Sequence, residues 1–118
     1  MKQHFMMFAA YNRWANARIY DAALELTDEE FSRPVGAVFG SLMGTLNHLL
    51  VTDRIWMKRF TGEGDAPKAL DAIIHRGLGP LRVSREAEDE RIVEWVASLD
   101  EEALAGRFTY MTVTDMRT

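Results

Sequence analysis

From about Gln3 to Leu24 the chain holds neither glycine nor proline and is rich in Ala, Met and Arg. A run of good helix formers that long, with nothing in it to interrupt the backbone ladder, predicts one helix of about six turns. Wound at about 100° per residue, Phe5, Phe8, Ile19 and Ala23 share one stripe while Lys2, Arg13 and Asp21 fall elsewhere, as in a helix laid on a core. Asn12 and Asn16 interrupt that apolar stripe from within.

Two further stretches carry the same signal. Thr27-Asp28-Glu29-Glu30 forms a capping box that opens a short helical turn, flanked by Leu26 and Phe31 and stopped by Pro34 and Gly36. From about Gly40 to Phe60 there is no proline, and Leu42, Leu46, Leu49, Ile55, Trp56 and Phe60 make a second long helix apolar almost all round. Thr61 to Pro67 stacks turn formers and predicts a loop, followed by a short helical piece over Lys68–Ile74. Pro80 suits the first position of a third long helix ending near Leu99, its front half nearly all charged and its back half carrying Ile92, Trp95, Val96 and Leu99. Burial is expected only for that back half.

The segment Leu99–Leu104 echoes Leu26–Phe31, each a leucine, an acidic helix start and an apolar closing residue after a long helix. On that echo Phe108–Thr114 is a connector matching Pro34–Phe39, and a fourth long helix is expected beyond Thr118. Residues 1–118 therefore read as one all-α domain, an up-down helical bundle with one apolar face left for a partner, and a homodimer is expected.

Composition narrows the chemistry. With 14 basic and 18 acidic residues and a net charge of −4, the chain lacks the basic face of a nucleic-acid binder. No apolar run approaches the roughly 20 residues of a membrane span, and the N-terminus is not a signal peptide, so a cytoplasmic location is expected. Without cysteine, disulfides, thiolate metal sites and cysteine nucleophiles are excluded, and a metal would need His and carboxylate ligands. No phosphate-binding glycine loop or nucleophile elbow occurs.

His48 lies mid-helix on the side of Ser41, Thr45, Thr52 and Arg59, opposite Leu46 and Leu49. It is either a candidate metal ligand or a half-exposed histidine bonded to a neighbouring hydroxyl. His4 and His75 lack a ligand-type residue three or four positions on and read as surface residues. Asp53 falls on the apolar stripe between Leu46, Leu49, Trp56 and Phe60; a carboxylate there needs donors, which Asn12 and Asn16 could provide across the helix contact.

Three ordered runs carry a resemblance: Tyr11-Asn12-Arg13-Trp14-Ala15-Asn16, then Gly40-Ser41-Leu42-Met43-Gly44-Thr45-Leu46-Asn47-His48-Leu49-Leu50, then Asp53-Arg54-Ile55-Trp56 with Phe60-Thr61-Gly62. Together they resemble the DinB family of DinB/YfiT-like metalloenzymes from Phe5 to Thr112. The resemblance implies a four-helix bundle, commonly homodimeric, with nickel, zinc or iron held by three histidines. His48 stands at the place of the first, and the other two belong to a His-x-x-x-His pair on a last helix that this sequence does not reach. It further implies thiol-dependent transferase or isomerase chemistry on a low-molecular-weight thiol. The competing expectation is a non-catalytic helical dimerisation module without metal. With one histidine of three, His48 is expected to be metal-free unless another chain supplies ligands.

Overall fold

The computed structural model describes residues 2–36 and 38–99. Helix α1 spans Lys2–Ala23, α2 spans Asp28–Ser32, α3 spans Leu42–Thr61 and α4 spans Leu78–Ser98. The described residues form an all-α bundle in which α4 lies along α1 and also against α3, while α2 packs on α3. The Leu99–Leu104 echo, apart from Leu99, and the Phe108–Thr114 connector lie outside the described residues.

The local signals explain the element ends. Thr27 accepts a hydrogen bond from the Glu30 amide while the Glu30 carboxylate accepts from the Thr27 amide, closing the expected capping box. Ser41 caps α3 by accepting from the Gly44 amide at 3.0 Å. A Cβ at position 44 would sit 2.0 Å from the Phe39 carbonyl oxygen, so glycine lets the incoming chain lie against the helix. Gly62 ends α3 in the left-handed conformation at φ 74°, its amide donating to the Lys58 carbonyl. Helix α4 begins at Leu78, earlier than Pro80 suggested. Proline is accommodated in the first turn because amides there have no acceptor within the helix.

The core is built from Tyr20, Phe31, Met43, Leu46, Leu50 and Leu81, with Leu42, Ile74 and Leu78 against it. Its placement corrects the stripe expected on α1. Phe8 is 67% exposed and Ile19 42% exposed, whereas Ala9, Tyr20 and Ala23 are buried and Asn12 and Asn16 half-buried. The helix is turned so that the amides of Asn12 and Asn16 face α4, and Phe8 and Ile19 lie at its more exposed edges. Leu49, expected inside with Leu46, is likewise exposed.

Residues 68–74 form no helix. Instead, the fully buried Asn47 of α3 holds the end of this irregular segment in place of a helical ladder. Its amide nitrogen donates to the carbonyls of Met43 (2.8 Å) and His75 (2.9 Å), and its oxygen accepts from the amides of Ile74 (2.8 Å) and His75 (3.1 Å). Buried backbone groups need partners, and one side chain with two donors and an acceptor oxygen supplies them. Asn47→Ala should therefore lower stability by about 2–3 kcal/mol, read as a lower urea midpoint at unchanged m-value. An unchanged midpoint would show that solvent satisfies residues 74 and 75 equally well.

Candidate functional site

One face of the charged front half of α4 is inside the bundle. Arg85 and Asp89 are each 2% exposed, and Glu88 is also buried. These residues continue the line of Leu81 along the helix and meet polar groups from both neighbours. Arg85 Nη2 donates to Asp53 Oδ2 of α3 at 2.5 Å and to Asp89 Oδ1 at 2.7 Å. Asp89 also accepts from Asn12 Nδ2 at 3.3 Å and from Asn16 Nδ2 at 3.1 Å to each oxygen. The network expected between Asp53 and the helix α1 amides thus has a different centre. Asn12 and Asn16 serve Asp89, and Arg85 serves Asp53.

Burial raises the Asp89 carboxyl above its ordinary value, against the opposing pull of Arg85 and Asn16. Burial also pushes the Tyr20 hydroxyl up to about 12. Among the described residues, Tyr20 Oη and Arg85 Nε have no hydrogen-bond partner. Both residues line a cleft of about 250 Å³ together with Arg13, Asn16, Arg82 and Glu90, although these two atoms themselves are buried.

On the other side of this junction lies an apolar groove of about 320 Å³ between α1, α3 and α4. Phe8, Trp56, Phe60, Trp95 and Ile92 form its walls, and Asn12 and Asp53 bring polar atoms to it. Phe60 and Trp95 stack at 4.8 Å, and Trp56 lies 6.2 Å from Phe60. Asp53, whose side chain is 33% exposed, links the groove to the buried network.

His48 belongs to neither cavity. Its ring stacks on Phe39 at 3.8 Å with planes 16° apart, and Nδ1 lies 3.0 Å from the Leu70 carbonyl oxygen. A carbonyl only accepts, so Nδ1 carries the hydrogen, and in the neutral ring Nε2 keeps its lone pair. That tautomer is the one a histidine uses when it binds a metal through Nε2. The bond goes to a backbone carbonyl and not to a neighbouring hydroxyl, since Thr52 donates to the His48 carbonyl instead. Among the described residues no group of three His, Cys, Asp or Glu could hold a metal ion.

Of the other histidines, His4 is exposed, as expected. His75 is half-buried, with Nε2 2.9 Å from Ser84 Oγ and its backbone held by Asn47, so it is not a free surface residue. The residues that sequence reasoning missed are Arg85, Glu88 and Asp89. Their spacing in register with Leu81, Ile92 and Val96 was the available signal, one face of α4 on which charge replaces apolar side chains.

Arg85→Met should cost about 3–5 kcal/mol, because it strands two carboxylates around one buried position. Arg82→Met should cost under about 1 kcal/mol, since Arg82 pairs with the exposed Asp21 and Glu86. Losing Arg85 also removes the main influence lowering Asp89. Between the unfolded carboxyl value and a raised folded value, the folded state holds a proton the unfolded state has lost, so stability falls as pH rises through that window. The Arg85→Met defect should accordingly shrink from about pH 7 to about pH 5 in urea melts. A defect independent of pH would place the two carboxylates in solvent.

No helix among the described residues is long and apolar enough to cross a membrane. A search of solved structures finds no match. Protein DinB of Bacillus subtilis (strain 168) is 34% identical over 53 residues, 45% of this chain and 31% of that protein, so the match spans less than a third of the relative's length. The DinB family model matches residues 1–117, and with the all-α bundle and the ordered motifs on α1 and α3 in place, the chain belongs to the DinB family.

Proposed function

We propose that the chain is part of a metal-dependent enzyme acting on a low-molecular-weight thiol in the cytoplasm, with His48 as a metal ligand. The observation that supports this most is the state of the His48 ring. Phe39 fixes its plane and the Leu70 carbonyl fixes its tautomer, leaving Nε2 as the donor atom. His48 fits one ligand position. The remaining ligands come from a second copy of the chain or from residues outside those described. A bound divalent ion, nickel, zinc or iron, would hold the thiol as its thiolate. The chain's own part is to orient the imidazole, which Gly44 assists by letting the Phe39 backbone approach α3.

A second reading is supported by the outer face of α1. Met7, Tyr11 and Trp14 are exposed at helical spacing, with Tyr11 and Trp14 rings 5.7 Å apart. Such a face suits self-association, and the chain would then be a helical dimerisation module.

Metal content of the purified protein, after exposure to nickel, zinc or iron in turn, tests both readings alongside sedimentation. The first expects stoichiometric metal, lost in His48→Ala with helix content unchanged, because the contacts of the ring, to Phe39 and the Leu70 carbonyl, are not part of the α3 backbone ladder. Metal retained in that variant identifies a different ligand. A metal-free wild-type protein that sediments as a dimer contradicts the first reading and supports the second.

A further inference from the structure

The groove between α1, α3 and α4 has an uneven electrostatic boundary. With both carboxylates ionised, Asp53, Arg85 and Asp89 carry two negative charges and one positive, and Asp89 takes the amides of Asn12 and Asn16 as well as Arg85. Asp53 receives a single donor, at Oδ2. No donor meets its Oδ1 among the described residues, although a carboxylate oxygen beside apolar walls gains from one. Aromatic side chains line the same space, from Phe8, Trp56, Phe60 and Trp95. The Arg59 guanidinium lies 5.1 Å from the Trp56 centroid and takes one face of that ring, so the faces left for a ligand cation are those of the other aromatic residues.

We propose that this groove binds a protonated amine carried on an apolar body, the ammonium group donating to Asp53 and lying against the aromatic rings while the body fills the cavity. An ammonium supplies both a second donor for Asp53, beside the Arg85 bond at Oδ2, and the positive charge that balances the ionised three-residue network. A carboxylate ligand meets like charge at Asp53, and a neutral ligand leaves the excess charge in place. The volume of about 320 Å³ suits a small molecule of one ring and a short chain. His48 does not line the groove, so the proposal is independent of the metal reading.

The test is a titration of the purified full chain with 2-phenylethylammonium, 2-phenylethanol and phenylacetate at equal ionic strength. It is followed by tryptophan fluorescence, since Trp56 and Trp95 stand in the walls, and by calorimetry for stoichiometry. The ammonium should bind at one per chain and about tenfold tighter than the alcohol, with phenylacetate weakest. Asp53→Asn, which keeps the side-chain shape, should narrow the ammonium-to-alcohol ratio to below about threefold. If Asp53→Asn does not fold, the wild-type ratio and its decline with added salt decide the matter. Equal affinity for ammonium and alcohol, no saturable response to the ammonium by about 10 mM, or one ligand per two chains overturns the proposal.

Discussion

A guanidinium buried at the meeting point of three helices constrains most of what surrounds it. Arg85 is inside the bundle, and a charge there is tolerable only with carboxylates and further donors in good geometry. Asp89 comes from the same helix one turn on, and Asp53 from α3. Asp89 in turn requires donors, which come from Asn12 and Asn16 of α1. These bonds set the rotation of α1 about its axis. With the amides of Asn12 and Asn16 fixed toward α4, Phe8 and Ile19 lie at its more exposed edges even though they are the more apolar side chains. Ion pairs from Arg13 to Glu90 and from Asp21 to Arg82 lie on the same helix contact, but they are exposed and contribute little.

How much of this was legible follows from where the periodic pattern holds. The long helices and the capping box at Thr27 were visible because propensity, breakers and caps are local properties. The amides of Asn12 and Asn16 were recognisable as inward-facing polar groups in need of a partner. Their partner was not, because a charged stretch such as Arg82 to Arg91 ordinarily lies in solvent. Counting Arg85, Glu88 and Asp89 as outside left Asp53 as the sole interior carboxylate. The Lys68–Ile74 segment misled for a related reason. Its composition permits a helix, but its end is held by a side chain 27 and 28 residues away in sequence, and no local property shows that.

The neighbours Asn47 and His48 show how one helix serves structure and site together. Asn47 points into the core and holds Ile74 and His75; His48 lies on the adjoining face and is held by Leu70 of the same irregular segment. The segment is thus tied to α3 at both places, and the imidazole orientation depends on the packing beneath it. The groove near Asp53 is the second consequence of the interior charge. A network with one carboxylate in excess leaves that carboxylate at a cavity wall, and the aromatic residues of α3 and α4 line the remainder.

Asn12, Asn16, Asp53, Arg85 and Asp89 act as one unit across three helices. A double-mutant cycle between Asn16→Ala on α1 and Asp53→Asn on α3 measures this, since among the described residues the two side chains share no hydrogen bond and are linked through Asp89 and Arg85. A coupling free energy above about 1 kcal/mol is expected in urea unfolding. Additivity within about 0.3–0.5 kcal/mol would contradict it and show two independent polar contacts.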